Sequence, residues 1–371
     1  MTIRILDLND KKTWHAYLNR LKSKDVYFTP EYCEIYEKNG EGKAQLFLYE
    51  EGEDFVFYPY LLRNLNDLSS VSHVIEKYGE LYDITTPYGY GGPVTNVEDG
   101  TTLQPFMRRF TNAFKKYCYS ANIISEFIRF HPLLQNQVNY LGIEKAYLRD
   151  TIQIDLLPDY ETIWANYDTK NRNRIRKSKT YDLRIVHRSE DELSHFLKLY
   201  YSTMEKAKAR DYYFFSEDFF RNTIHLLKEK IELIEVITKN DQVIMTSLFI
   251  YGNDYIHYHL SGSDRNHLKL AANNLILDYA VKWAKEEGFK SLHLGGGYSG
   301  NDDSLYRFKK HFNRNGNLPF HIGKQIHNPM IYGEISSLIK DDFQDALQDY
   351  FPIYRHPDWH RPLSDKEAIE C

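Results

Sequence analysis

The residues best placed to do chemistry cluster near the end of the chain. Leu292-His293-Leu294 runs into Gly295-Gly296-Gly297, and Asp302-Asp303-Ser304 leads into Leu305-Tyr306-Arg307-Phe308-Lys309-Lys310. Glycines at a strand end let backbone pass close to a ligand or take a positive φ. Asp303 or Ser304 caps a short helix with Leu305, Phe308 and Phe312 on one face. Lys309 lies next to that face, either reaching across the strand end or solvated with Lys310. Tyr255-Ile256-His257-Tyr258-His259-Leu260 alternates, so Tyr255, His257 and His259 share one face and Ile256, Tyr258 and Leu260 the other. His257 and His259 are the candidate general bases. Tyr88-Gly89-Tyr90-Gly91-Gly92-Pro93 is a loop with exposed backbone and aromatic faces, or a plain turn. In Phe127-Ile128-Arg129-Phe130-His131, Arg129 on an apolar strand calls for an anion, either a phosphate or a carboxylate such as Glu126 or Asp83. Six of the ten residues from Lys170 to Lys179 are basic and none is acidic. In helical register Arg172, Arg176 and Lys179 share a side, and the segment, with Arg174, can grip phosphates of a nucleotide-linked substrate or RNA, or can be a solvated face.

The elements that must position these residues are clearest after residue 180. Leu183 follows the start of an alternating strand, Asp182–His187. Ser189 and Glu192 have capping-box spacing before a helix to about Lys208, and Ser216 caps a second helix. Strands are expected at 231–238, 243–251 and 255–260, then a helix over 270–287 stopped by Gly288, a strand at 290–294, a helix at 304–312 and a strand at 318–322. This β-α-α-β-β-β-α-β-α-β order is that of the GNAT acyltransferase fold. The first half repeats it faintly, with a strand at 2–6, a helix at 11–21, a hairpin over 43–62, a helix at 101–119 and a strand at 122–130. Pro59 inside the hairpin's second strand predicts an edge or a bulge. The reading is α/β (α+β): two tandem GNAT-like domains packed around a shared cleft, 1–150 and 151–324, with 325–371 packing back on the first.

Composition sets the outer limits. The chain has 371 residues, suggesting about two domains. Its 42% apolar content supports real cores, and its net charge of −5 excludes a dedicated basic nucleic-acid binder. The 31 tyrosines are expected mostly in cores and on sheet surfaces. Cys33, Cys118 and Cys371 form no CxxC pair, so neither disulfide framework nor metal site is expected. No apolar run reaches the ~18 residues of a membrane span, and the first residues lack a signal-peptide centre, so a cytoplasmic protein is expected.

The Gly295–Gly297 turn, the 305–312 stretch, the Pro87–Val94 loop and the Phe127–Pro132 strand together resemble the Fem-type aminoacyltransferases, double GNAT-fold enzymes that add amino acids from aminoacyl-tRNA to peptidoglycan precursors. The resemblance covers most of residues 80–325. It implies that Phe308-Lys309 is the family's Phe-Lys pair, its lysine stabilising charge on the reacting acyl group. It also implies that Arg210, after the first helix of the second domain, binds phosphates of a sugar-nucleotide. Two departures stand out. Asn96 occupies a position often acidic in the family, and Arg265–Leu270 lacks the glycines of the CoA pyrophosphate loop. The expected function is transfer of an aminoacyl or small acyl group onto an amine of a cell-envelope precursor. Arg210, Arg129, Tyr88, Tyr90, Tyr258, Phe308, Arg174 and Arg176 would hold substrate. No tightly bound cofactor is expected; the donor is aminoacyl-tRNA or acyl-CoA, and partners are a nucleotide-sugar or glycan precursor and, with the first donor, tRNA. Alternatives are an acyl-CoA-dependent N-acyltransferase of amino sugars and a non-catalytic nucleotide-sugar or RNA-binding module.

Overall fold

The computed structural model describes residues 1–68, 71–98, 100–189, 192–298, 303–338 and 350–356. Asp302 and Cys371 lie outside the described residues. In chain order the elements are β1 (Thr2–Leu6), α1 (Lys11–Arg20), α2 (Pro30–Lys38), β2 (Lys43–Glu51), β3 (Asp54–Asn64), α3 (Ser72–Tyr78), β4 (Tyr82–Thr85), β5 (Val94–Thr95), α4 (Leu103–Ser120), β6 (Ile123–Arg129) and β7 (Glu144–Asp155). They continue with α5 (Tyr160–Asn166), α6 (Thr169–Ser178), β8 (Leu183–Arg188), α7 (Leu193–Ala207), α8 (Glu217–Leu227), β9 (Ile231–Thr238), β10 (Val243–Gly252), β11 (Tyr255–Ser263), α9 (Ala272–Glu286), β12 (Ser291–Gly295), α10 (Ser304–Lys310), β13 (Asn317–Ile326) and α11 (Pro329–Ser336). Among the described residues no helix is long and apolar enough to cross a membrane.

The chain divides into two compact units. One holds 1–23, 40–147 and the described residues from His321 on; the other holds 24–39 and 148–320. The chain crosses between them within β7 and within β13. Residues 24–39 thus belong with the second unit, not with the first as a cut near residue 150 implies.

In the first unit the strand order is β1-β2-β3-β4-β6-β13, with β4 and β6 parallel and the other pairs antiparallel. α4 follows from its sequence: Leu103, Met107, Phe110, Phe114 and Cys118 recur at helical spacing and are buried. They pack with Phe47, Tyr49, Tyr58 and Tyr60 of the β2–β3 hairpin. A second cluster joins Leu65, Val74, Leu81 and Ile124 to Ile331, Ile335 and Tyr354. Pro59 is neither at a free edge nor in a bulge. β3 pairs with β5 at Val56 and Phe57 and with β4 from Leu61 on, so Pro59 sits in the gap between two partners on that side. A residue without an N–H costs no ladder bond there.

In the second unit the order is β7-β12-β11-β10-β9-β8, antiparallel except for the β11–β12 pair, which α9 connects. α7 presses so closely on β11 that a Cβ at Gly262 would collide with the Leu199–Tyr200 backbone. α2 starts with Thr29 as cap, whose side chain accepts from the Tyr32 N–H, and Pro30 at the first position. It packs on α8, with Tyr36 edge-on to Phe219 at 5.8 Å. Ser216 caps α8 through the Phe219 N–H. A 3-10 helix, Arg265–Leu270, precedes α9, which starts at Ala272 and not at residue 270.

Candidate functional site

At the C-terminal end of β12 the chain turns on glycines for steric reasons. Gly295 has φ +72°, and a Cβ there would stand 3.3 Å from the Lys309 ammonium nitrogen. A Cβ at Gly297 would run into the Asp303 carboxylate. Asp303 caps α10 by accepting from the Tyr306 N–H at 2.8 Å, so tight turn and helix start are built together. Arg149 on β7 clamps the turn, donating to Gly297 O at 2.8 Å and Tyr298 O at 2.9 Å.

Lys309 enters this frame from α10. It is 7% exposed, and its ammonium donates to Gly296 O at 2.7 Å. The Tyr258 ring lies 5.9 Å away, and the Tyr258 hydroxyl donates to Ser261 Oγ at 2.7 Å. Burial, only partly offset by Asp303 and joined by repulsion from Arg149, pulls the Lys309 pKa down to about 7. The solvated alternative for Lys309 is excluded by its burial. The helix face differs slightly from the expected one: Tyr306 and Lys309 are buried, whereas Leu305 and Phe308 are half-buried. Phe308 packs edge-on to Phe312 at 5.6 Å, against the unit's core.

Behind the turn lies a buried polar row that sequence reading missed in part. His257 on β11 and His293 on β12 are register partners, with Nδ1 atoms 3.3 Å apart. Asp25, in the segment before α2, meets His257 Nε2 at 2.7 Å, and Tyr27 lies edge-on to the same ring at 4.8 Å. Both nitrogens of His257 are therefore engaged inside the protein, which removes it as a direct proton acceptor from substrate. His259 is held at a pKa of about 3 by burial and by His257, so it stays neutral and is a feeble base near neutrality. His293 had a sequence signal, its place beside the glycine turn. Asp25 had none, because 232 residues separate it from His257.

Arg210 is exposed just after α7, beside the exposed Tyr212 and Phe214. Two open depressions on this unit, of about 490 and 640 Å³, are lined by none of the expected site residues. α6 is helical, yet its expected phosphate-gripping side is used internally. Arg172 donates to Ala165 O and Tyr167 O at 2.9 Å each, and Lys179 pairs with Asp278 at 2.8 Å. The Arg176 guanidinium lies over Trp164 at 5.6 Å and donates to Asn173. The open basic face is instead Lys170, Arg174 and Lys177, which are exposed and at i, i+4, i+7 spacing.

In the first unit the Tyr88–Pro93 loop is pinned to β6. The Gly91 N–H donates to Arg129 O at 2.7 Å, and the Asn136 amide donates to Gly91 O at 2.9 Å and Pro93 O at 3.2 Å. Tyr90 is edge-on to His131 at 5.6 Å. Arg129 pairs with neither acid named from sequence. Asp83 is held by Arg63 and Arg355, and Glu126 by Tyr58, Tyr140 and His327. Its guanidinium lies over Tyr88 at 5.6 Å and near Phe127 at 5.8 Å. Asn96 closes the hairpin, accepting from the Phe55 N–H and donating to Glu53 O.

The buried lysine at the glycine turn lies just past the parallel β11–β12 pairing. Residues 166–310 match the family model of the acetyltransferase (GNAT) domain. That stretch runs from the end of α5 through Lys309 and α10, so this part of the chain is similar to a GNAT domain, and the match supports an acyltransferase. Solved structures show the same likeness of fold. FemX is similar with a TM-score of 0.67 and 13% identity, over 90% of this chain and 100% of that one. L-PGS from Bacillus licheniformis has a TM-score of 0.52 and 10% identity, over 89% and 96%. The C-terminal domain of a putative lysylphosphatidylglycerol synthetase from Agrobacterium fabrum has a TM-score of 0.50 and 10% identity, over 91% and 96%. At these identities the likeness is one of fold. No curated protein matches the sequence.

Proposed function

We propose that this acyltransferase moves an aminoacyl or small acyl group onto an amine of a cell-envelope precursor, a peptidoglycan or glycan intermediate, in the cytoplasm. The observation that carries the reading is Lys309, a buried ammonium fixed on Gly296 O at the end of β12. The amine attacks the activated carbonyl, the carbonyl oxygen gains negative charge, and Lys309 lies ready to meet it in a site of low dielectric. Collapse of the intermediate expels the donor's leaving group. The attacking nitrogen loses its proton to solvent or to an anionic group of the substrate such as its phosphate, since neither His257 nor His259 is available to take it. The His257–His293 pair, backed by Asp25, instead stiffens the β11–β12 seam that carries Tyr258 and the glycine turn. Phe308 and Tyr258 shape the wall beside Lys309, and Arg210 offers an exposed guanidinium to a phosphate.

For the donor, the open face of Lys170, Arg174 and Lys177 favours aminoacyl-tRNA, because it presents three charges that no acid among the described residues pairs, at a spacing suited to a phosphate backbone. The acetyltransferase description of the matched family favours acyl-CoA. Against CoA stands the Arg265–Leu270 segment, a 3-10 helix without glycine, ending at Ala271 with φ +54°. Incubation with charged tRNA or acetyl-CoA and a panel of amine-bearing envelope precursors tests the reading. Transfer from either donor, lost at least about 100-fold in Lys309→Ala while the variant still melts cooperatively, is the expected result. Full activity of that variant would remove Lys309 from the reaction.

A further inference from the structure

The first unit holds a second set of cations that no side chain among the described residues neutralises. On β6, Phe127 and Arg129 project to one face, alternating with Glu126 and Ile128 on the other. On the antiparallel partner β13, Lys324 stands opposite Phe127 and Ile322 opposite Arg129. Arg129 and Lys324 are therefore diagonal neighbours, about 7–8 Å apart at this kind of position. Both are half-buried, and among the described residues neither side chain makes a hydrogen bond or ion pair. Each rests instead on aromatic rings. Arg129 has Tyr88 and Phe127, and the Lys324 ammonium lies 5.9 Å from the Phe351 ring. Phe351 is itself 6.5 Å from Phe127 and stacked on Tyr332 at 5.9 Å. The row runs Tyr88, Arg129, Phe127, Phe351, Lys324.

A ring face attracts a cation but accepts no N–H hydrogen bond from its full complement of donors, five on arginine and three on lysine. The one acid on this face of β4, β6 and β13 is Asp83, already shared by Arg63 at 2.7 Å and Arg355 at 2.9 Å. The face therefore carries a surplus of positive charge beside flat apolar surface. A monocarboxylate would neutralise one of the two free cations. A phosphate group, at about −1.5 to −2 near neutrality, matches both. Planar guanidinium takes phosphate oxygens two at a time, and lysine adds a point charge.

We infer that Arg129 and Lys324 form an anion-binding site of the first unit for a phosphate-bearing ligand, with Tyr88, Phe127 and Phe351 as the walls against which its organic part packs. This builds on the reading of Arg129 as a substrate contact and adds Lys324 and Phe351, but it requires nothing of Lys309. The two sources of such a phosphate are a soluble nucleoside diphosphate and a lipid headgroup.

Calorimetric titration of the full chain with inorganic pyrophosphate tests the site. Binding is expected, weakened at least about tenfold in Arg129→Gln and in Lys324→Gln, partly restored in Arg129→Lys, and unchanged in Lys309→Ala. Competition by UDP would assign the soluble source, and competition by phosphatidic acid vesicles the lipid one; both outcomes support the site. Absence of pyrophosphate binding, wild-type affinity in both glutamine variants, or equal competition by succinate would overturn it. Because Lys324 is at the surface of β13, its variant carries the test if Arg129→Gln fails to fold. Loss of pyrophosphate binding with transfer intact, or the reverse, separates this inference from the Lys309 chemistry.

Discussion

Lys309 serves two conflicting demands. As a cation it answers a developing oxyanion, yet its burial favours the neutral amine, so its charge is half gone near pH 7. If the ammonium is the active form, kcat/KM falls as pH rises through about 7; a rise over the same interval would make Lys309 the base. Stability moves the other way. The folded pKa lies below the ordinary 10.5, so the unfolded chain binds more protons between about 7 and 10.5 and stability increases with pH across that window. Lys309→Met should therefore raise the melting temperature below pH 7, where the native enzyme carries the full cost of a buried charge, and the gain should shrink towards pH 10. Gly297→Ala places a methyl group into the Asp303 carboxylate and should cut activity more than it lowers stability, since α10 keeps its core residues Tyr306 and Phe312. The motif around Lys309 was legible because turn glycines, a capping aspartate and a Phe-Lys pair lie within eighteen residues of sequence. The Asp25–His257 contact was not, because sequence spacing carries no trace of a hydrogen bond between segments so far apart.

Elements with strong local signals emerged as read. β9 matches its expected bounds, Ser216 caps α8, and Gly288 ends α9 with φ +85°. α2 was missed although Thr29-Pro30-Glu31 is a good helix start, since its short apolar pattern was lost among tyrosines. α6 was read as a helix but with the wrong open side: a basic run tells how many charges there are, not which ones Trp164, Asp278 and the α5 carbonyls absorb. The strap from Tyr350 to His356 falls in the 325–371 stretch expected to pack back on the first domain, but its particular contacts were not foreseen. Its Tyr354 hydroxyl meets Ser125 Oγ at 2.7 Å, and its Arg355 shares Asp83 with Arg63. Burial pushes the Asp83 carboxyl up, but the two guanidinium groups outweigh it and hold the pKa below its ordinary value. A depressed carboxylate stabilises the fold above its unfolded pKa and loses that contribution as pH falls through the folded one. Arg355→Met should cost roughly 1–3 kcal/mol in urea unfolding at pH 7, and less at pH 3, where Asp83 is closer to protonation.

For the molecule as a whole, the tandem architecture was visible as one clear and one faint repeat of the same element order, while the exchange of segments between the units was not. Residues 24–39 sit with the second unit and residues from His321 on with the first. A fragment limited to 148–320 lacks α2, which covers Phe219 on α8, and Asp25, which holds His257. It should aggregate or bind a hydrophobic dye, and supplying 24–39 as a linked or added peptide should restore a cooperative melt. A cooperative melt of the fragment alone would show that α2 is dispensable. The same interlacing governs birth on the ribosome. The N-terminal unit cannot close until β13 and the strap have left the exit tunnel, and the other unit must keep its earliest contributor waiting until residue 320 is made. The usual order, in which a finished N-terminal domain folds while its successor is still being translated, is closed to this chain, so nascent polypeptides stalled anywhere before β13 should be protease-sensitive throughout.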